Sequence, residues 1–304
     1  MTLRHMLRSI GYKCLPLKLY LKICYQVIYN RPLHLKEPKA FSEKMYWLNL
    51  YYAQYEKNLV QLCYDKYTVR TYIKEKIGEK YLNELYGVYD KAEDIDFQKL
   101  PHQFVIKITQ SSGKNLICPN KEKLNTEKTV KLLNKWLQSA KARRGQEESY
   151  LYNGNAKIVC EKFLKDENDM IPNDYRIYCF NGEPKYIICD MDTTLEDGSH
   201  GTNIRRNVYD LNWNIQDVEF GRKNDLINTI NKPGNIKEMI EISRVLSKDF
   251  PFVRVDLYNI RGSLIFGELT WIPMGGNCRI KPDSFDYKLG EMLQLPNVSI
   301  DYRK

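Results

Sequence analysis

The chain has 304 residues, a net charge of +9 and 43% hydrophobic residues, enough for one large domain or two with a full core. No apolar run is long enough to cross a bilayer, and no N-terminal signal with a small-residue cleavage site is expected. The eight cysteines form no CxxC pair, and the four histidines are scattered, so neither a zinc site nor a Ser-His-Asp triad is expected.

In chain order, residues 1–36 come first, with Arg4, Arg8, Lys13, Lys18, Lys22, Arg31 and Lys36 and no acid. Leu, Ile and Tyr lie between them. Such a stretch docks on an anionic membrane surface or an anionic substrate. Alternatively it packs as a helical pair on the main domain with its lysines in water. No nucleic-acid partner is expected, because no RNP-like, helix-turn-helix or zinc-finger pattern accompanies the charge. Residues 1–30 read as helical, broken near Gly11 and Pro16, and Arg31 to Pro38 as a loop. The next helix opens at Phe41 with Ser42 as its N-cap. Residues 65–77 form another, ended at Gly78.

Leu85 to Tyr89 reads as a short strand. Phe104 to Ile108 is a buried strand with one charge, Lys107. A turn, Thr109 to Lys114, leads to a returning strand, Asn115 to Cys118. Thr126 caps a helix through Leu137 that carries Val130, Leu133 and Leu137 on one face. Residues 139–155 are polar and broken by glycine, as in an exposed loop. Lys157 to Leu164 is a strand. Tyr175 to Phe180 and Lys185 to Cys189 form a hairpin over Asn181-Gly182. Ile236 to Lys248 is an amphipathic helix with Ile236, Met239, Ile240 and Leu246 inward. Cys118, Cys160, Cys179 and Cys189 fall in apolar runs, as small buried residues of a reduced, cytosolic protein do. Interspersed helices and hairpins give an α+β fold with antiparallel sheets.

Residues 250–276 hold the richest chemistry. Val253, Val255 and Leu257 alternate with Arg254, Asp256 and Tyr258, and a second alternating run starts at Leu264. A three-residue loop, Ile260-Arg261-Gly262, would set Asp256 opposite Phe266 and Glu268 opposite Arg254. Asp256 and Glu268 would then lie diagonally, roughly 7–8 Å apart. Carboxylates that close repel unless a cation lies between them, and an all-oxygen set suits Mg2+. The other reading is an Arg254–Glu268 ion pair with Asp256 solvated.

Other candidates are spread along the chain. The amides of Ser111, Ser112 and Gly113 can cradle phosphate, with Lys107 and Lys114 adding charge. Glu161 ends an apolar strand, as at the edge of an adenine pocket, or pairs structurally. Asp174 and Arg176 share one strand face, suited to a ribose hydroxyl and a phosphate, or to neighbours. Asp190-Met191-Asp192 follows a strand, as in the metal motif of many nucleotide-sugar glycosyltransferases. Arg205 and Arg206 suit a phosphate or carboxylate.

Together these pieces resemble the ATP-grasp superfamily, and more closely the TupA-like ATP-grasp family, named for teichuronopeptide biosynthesis. The resemblance is carried from about residue 40 to 290. It includes Phe41-Ser42-Glu43-Lys44, Asp65-Lys66-Tyr67, Gln103 to Lys107, Glu161-Lys162, Asp174-Tyr175-Arg176, Arg206-Asn207, Phe250 to Asp256 and Phe266 to Thr270. It implies an ATP-grasp fold, two α+β subdomains clamping ATP, with an N-terminal helical extension. The expected division is a helical region, 1–62, and an ATP-grasp domain, 63–304, whose two parts are 63–155 and 156–304.

The resemblance implies an ATP-dependent carboxylate–amine ligase acting through an acylphosphate. Lys107 would hold the α- and β-phosphates, and Ser111, Ser112 and Gly113 would cover the γ-phosphate. Glu161, Lys162 and Leu164 would line the adenine pocket, and Asp174 would meet the ribose. Asp256 and Glu268 would hold Mg2+, with Thr270 where the superfamily usually has Asn. Arg254, Arg176 and Arg206 would be the catalytic cations. The implied setting is cell-surface polysaccharide assembly in the cytoplasm; the basic stretch 1–36, outside the resemblance, would bring the enzyme to the inner face of the membrane. The implied partners are a saccharide or lipid-linked saccharide carrying a uronic-acid carboxylate, and an amino acid or amine. The competing expectation is a glycosyltransferase using Asp190 and Asp192, separable by nucleotide preference.

Overall fold

The structure is a computed structural model, and it describes residues 15–52, 56–141, 153–166, 170–193 and 201–300. Gly11 and most of the loop expected at 139–155 lie outside the described residues.

The smaller sheet has the order β1-β4-β2-β3, from β1 (Leu85–Tyr89), β2 (Phe104–Ile108), β3 (Asn115–Cys118) and β4 (Ile158–Lys162). Every pairing is antiparallel. The period of two decides its faces. Phe104, Ile106, Ile108, Ile158 and Cys160 point into a core with Leu133 and Leu137 of a helix, Thr126–Lys141. Val105, Lys107, Val159 and Glu161 lie on the opposite face. The cap of that helix is Asn125, not Thr126, because the Asn125 carboxamide accepts from the Lys128 amide at 2.9 Å. Thr129 is buried, whereas Val130 is only partly so.

The larger sheet has the order β10-β9-β5-β6-β7. Its strands are β5 (Asp174–Phe180), β6 (Glu183–Met191), β7 (Arg205–Asp210), β9 (Phe252–Ile260) and β10 (Ser263–Thr270). A two-stranded ribbon joins β8 (Glu219–Phe220) to β11 (Ile280–Lys281). One face of the larger sheet, with Ile177, Cys179, Val253 and Val255, is covered by a helix, Ile236–Ser247. That helix buries Ile236, Met239, Ile242 and Leu246. Ile240, expected inward, is only partly buried.

The other face divides in two. At one end Phe252 packs edge-on with Tyr178, Phe180 and Phe41, its ring centroid 5.0 Å from that of Phe41. At the other end lie Asp174, Arg176, Asp190, Arg206 and Asp256. Aromatic packing thus closes one half of the face and leaves the charged half to a cleft.

The larger core also takes the N-terminal helices α1 (Leu17–Tyr29) and α2 (Phe41–Trp47), then α3 (Lys57–Tyr64) and α4 (Val69–Lys76). Helix α1 begins just after Pro16, which fits proline's missing donor. The cap of α2 is Ala40, not Ser42: the Ser42 hydroxyl donates to the buried Asp286 carboxylate at 2.6 Å, and Glu43 accepts the Lys39 and Ala40 amides instead. The single helix expected over 65–77 is the shorter α4, and α3 before it was unforeseen. The division expected at 62/63 falls inside α3, and α3 and α4 both pack into the larger core. We propose residues 85–162 as the smaller lobe.

Candidate functional site

A cleft of about 810 Å³ runs between the two sheets. From the smaller sheet it is lined by Val105, Lys107, Ser112, Gly113 and Ile117, and from the end of β4 and the segment after it by Lys162, Phe163 and Leu164. From the larger sheet come Asp174, Arg176, Asp190, Arg206 and Tyr258. Residues far apart in sequence therefore converge on one space.

Lys107 sits on the cleft face of β2, where alternation puts it opposite the core. Its ammonium is 2.7 Å from the Glu161 carboxylate, which also meets the Arg70 guanidinium at 3.4 Å. Glu161 is 6% exposed, so it points Lys107 rather than lining the space. Ser111 is buried behind the turn, with its carbonyl accepting from the Lys66 ammonium at 2.5 Å. Ser112 and Gly113 form the exposed tip. Gly113 has φ +71°, a conformation that side chains beyond glycine rarely adopt.

Lys66 was quoted in the resemblance above but given no role. It follows α3 directly, where Asp65 ends the helix, and its amide donates to the Thr109 carbonyl at 3.1 Å. Burial lowers its pKa, while Glu268 pulls the other way. The sequence signal was the Asp-Lys pair itself, a charge placed at a helix end. Arg222 and Tyr258 also line the cleft unforeseen.

The larger sheet presents an acid–arginine ladder. Asp190 pairs across strands with Arg206 on one side and Asp174 on the other. Arg206 meets both Asp190 oxygens, at 2.5 and 2.6 Å. Arg176 donates to Asp190 as well, and to Asp174 at 3.0 Å. Burial alone would raise the Asp190 pKa, but the Arg206 hydrogen bond and the Arg176, Arg206 and Arg222 charges hold it below its ordinary range. Asp174 is raised, first by burial, against the pull of Arg176. Asp190 and Asp192 do not converge as the glycosyltransferase expectation needs. Asp190 is wholly engaged by arginines, and Asp192 turns to Arg205 at 2.8 Å.

The β9–β10 hairpin differs in register from the sequence reading. Its turn has two residues, Arg261 (φ 51°) and Gly262 (φ 83°), so Ile260 pairs with Ser263. A bulge then falls at Gly267, where an added Cβ would lie 3.1 Å from the Asp256 carbonyl. Together these put Glu268 directly opposite Asp256 and Thr270 opposite Arg254. The acids are cross-strand neighbours, not diagonal ones. Asp256 is also not solvated: the Arg254 guanidinium donates to both its oxygens, at 2.6 and 2.5 Å, and to Glu268 at 2.9 Å. The Thr270 hydroxyl donates to Glu268 at 3.2 Å. Arg254, Asp256, Glu268 and Thr270 stand beside the cleft lining, and Asp256 is 3.8 Å from Arg176 Nε. Burial and the Glu268 charge push Asp256 up to about 7 despite Arg254. Desolvation opposes the Glu268 charge too, but Arg254, Lys66 and Arg176 keep its pKa low.

These acids test the fit of a metal. Asp256 and Glu268 stand directly opposite each other on β9 and β10, and the donors they offer are all oxygen. That donor set fits Mg2+. Among the described residues no cluster of three His, Cys, Asp or Glu side chains stands ready for a metal, so the rest of the shell would come from phosphate and water.

The chain belongs to the TupA-like ATPgrasp family, whose sequence profile matches residues 43–294. Its fold is accordingly α+β of the ATP-grasp class. No curated protein matches the chain. Among solved structures it is similar to a D-alanine–D-alanine ligase from Bacillus anthracis, with 18% identity over 69% of this chain and 57% of that one and a TM-score of 0.43. It is similar to phosphoribosylamine–glycine ligase from Thermotoga maritima, with 15% identity, coverage of 70% and 48%, and a TM-score of 0.43. The biotin carboxylase domain of 2-oxoglutarate carboxylase from Hydrogenobacter thermophilus, crystallised with MgADP, ADP and bicarbonate, matches at 12% identity, coverage of 84% and 52%, and a TM-score of 0.42. The chain spans about half the length of these structures.

Proposed function

We propose that the protein is an ATP-dependent carboxylate–amine ligase that forms an amide bond in cell-surface polysaccharide assembly. The observation that supports this most is the convergence of Lys107, Ser112 and Gly113 with Asp174, Arg176 and Arg206 on one cleft. In this reading Lys107 and Lys66 neutralise phosphate charge, held in place by Glu161 and the Ser111 carbonyl. The amides of Ser112 and Gly113 cover the terminal phosphate. Val105, Ile117, Phe163 and Leu164 form apolar walls for the adenine beside Lys162, and Asp174 takes a ribose hydroxyl. Asp256 and Glu268, beside Thr270, would hold Mg2+, which would supply charge neutralisation for the phosphates.

A carboxylate oxygen attacks the γ-phosphorus, and the bond to the β–γ bridging oxygen breaks, releasing ADP. A neutral amine then attacks the acylphosphate carbonyl carbon, the C–O bond to phosphate breaks, and phosphate leaves with the amine's proton. Arg254, Arg176 and Arg206 stabilise the charge that develops in both steps, as preorganised cations do. The carboxylate is proposed to belong to a uronic acid on a saccharide or lipid-linked saccharide, and the amine to an amino acid or amino sugar. No helix among the described residues is long and apolar enough to cross a membrane. We place the enzyme in the cytoplasm, with residues 1–36 touching the inner face of the membrane.

Thermal-shift measurement decides the nucleotide class, because a ligand that binds the folded state raises the melting temperature. ATP with Mg2+ is expected to stabilise the protein, and UDP- or GDP-sugars with Mn2+ are not. The reverse preference would replace the ligase by a glycosyltransferase.

A further inference from the structure

Helix α1 is fixed to the core by one side only. Tyr20, Leu21, Tyr25 and Tyr29 are buried, and the Tyr29 hydroxyl donates to the Gly276 carbonyl at 2.6 Å. The outward side carries Leu19, Ile23 and Val27, which are 46%, 46% and 76% exposed. Their spacing of four makes them a single apolar stripe.

Beside that stripe lies a second cleft, of about 620 Å³, whose lining includes Lys18, Lys22, His34, Lys36 and Lys39. Its deepest acid, Glu43, is already engaged. One carboxylate oxygen accepts the His34 amide at 3.2 Å and lies 2.9 Å from His34 Nδ1. The other accepts the Lys39 and Ala40 amides at 2.8 and 3.1 Å. These bonds fix the loop that carries Lys36 and Lys39. Among the described residues only Glu37 then stands against Lys22, Lys36 and Lys39 on the lining. Every one of those lysines precedes residue 43, where the family match begins, so family membership does not account for them.

We infer that this cleft is a binding site for the phosphate group of an anionic phospholipid, with the Leu19–Ile23–Val27 stripe entering the acyl boundary next to it. A free phosphate would account for the lysines but not for the stripe. An apolar protein partner would account for the stripe but not for the converging cations. A leaflet of phosphate groups above hydrocarbon complements both, and the absence of acids from residues 1–36 removes repulsion from that leaflet. This deepens the membrane contact proposed above and rests on that reading, but not on the nucleotide chemistry.

Flotation of the full chain with vesicles tests it. The vesicles are phosphatidylcholine alone, or phosphatidylcholine with about one third phosphatidylglycerol. Binding to the anionic vesicles is expected to be at least about tenfold stronger, and to fade as added salt screens the charges. Lys22→Glu with Lys36→Glu is expected to weaken it about tenfold, and Ile23→Ser with Val27→Ser about fivefold, since both contributions are needed. All four positions are surface ones, and the ATP-induced thermal shift, measured in parallel, is expected to be unchanged. Equal binding to both vesicles, or either double variant binding like the parent, overturns the inference. So does release by millimolar inorganic phosphate, which would mark a free-phosphate site. Binding that depends on residues 1–14 and survives both double variants also overturns it. A wild-type protein with no ATP shift would instead overturn the ligase reading, whatever the vesicles show.

Discussion

On the smaller sheet the cleft-facing side carries one charged pair, Lys107 and Glu161, on its two central strands. On the larger sheet Arg176, Arg206 and Arg254 interleave with Asp174, Asp190, Asp256 and Glu268 across five strands. The balance differs as much as the density. Around Lys107, the cations Lys66 and Arg70 join it against the single carboxylate of Glu161. Asp65, the other acid nearby, spends its oxygens on the Tyr67 and Thr68 amides and on Gln110. The smaller side is left with surplus positive charge, which suits an anionic ligand. The larger side nearly cancels itself and holds one carboxyl, Asp256, pushed up to about 7 by burial and its neighbour Glu268. A site that self-neutralises is rigid before any ligand arrives. A site with surplus charge is completed by its ligand.

That contrast breaks most visibly at Asp190. Asp190→Ala would leave the buried Arg206 and the half-buried Arg176 without their shared counter-charge. Uncompensated buried charge typically destabilises by about 3–5 kcal/mol. Asp192→Ala removes a pair in which both side chains are well exposed, worth less than about 1 kcal/mol. Urea unfolding of the two variants side by side should show this gap, and similar losses would mean the ladder is not structural. The sign with pH is also fixed. Asp190 is held below its ordinary range, so its contribution is present above the unfolded carboxyl pKa, 3.8, and is lost as the pH falls through the lower folded value. Asp190→Asn should flatten that acid limb.

Asp256→Asn and Glu268→Gln sharpen the comparison from the catalytic side. Each keeps the shape and the hydrogen bonds to Arg254 in part, but removes a metal charge. ATP turnover should fall by about 100-fold or more, the range seen when one transition-state stabiliser is lost. Glu268→Gln should move the melting temperature little, whereas Asp256→Asn should lower it, because the buried Arg254 loses much of its counter-charge. Activity near that of the parent in either variant would remove Asp256 and Glu268 from the metal site.

How much of this was legible before the structure depends on the range of the interaction. The strands around Lys107 and the Asn181-Gly182 hairpin follow from alternation and turn chemistry, both local. Asp256 and Glu268 were recognisable as an acid pair, but their register was not. The two-residue turn and the bulge at Gly267 each shift the ladder, and a three-residue loop with no bulge fits the same alternation. Lys66 was hidden for a different reason. Its partners, Ser111 and Thr109, lie more than forty positions away and across a lobe boundary. Ser42 illustrates the opposite error: a good local cap was outcompeted by Asp286, a buried acceptor far along the chain.

On the smaller sheet, Lys107→Ala is expected to weaken ATP binding about tenfold, a smaller effect than at Asp256, because Lys66 remains on the same side. Calorimetry reads this directly. An unchanged affinity would make Lys107 a partner of Glu161 and nothing more. Glu161→Gln should give a milder version of the same defect, since it loosens Lys107 without removing its charge.

The smallest expected effect lies at the tip of the turn, and it separates backbone shape from charge. Gly113 has φ +71°, and nothing lies within 4 Å of an added Cβ. Gly113→Ala therefore meets no neighbour, and its penalty is conformational alone. For a residue other than glycine, positive φ costs about 1–2 kcal/mol. The turn is exposed, so the chain can relax there instead of unfolding. Global stability should fall by less than about 1 kcal/mol, because exposed tips release strain locally. The nucleotide cleft should feel more of the change, since Ser112 and Gly113 line it through their backbone. A KM for ATP raised several-fold with kcat held within a factor of about two would assign the tip to uniform nucleotide binding. A fall in kcat at constant KM would instead put the Gly113 amide on the transferring phosphoryl group. Neither change, with full stability retained, would detach the turn from nucleotide altogether and leave Lys107 of the smaller lobe, with Lys66 beside it, as the phosphate contacts.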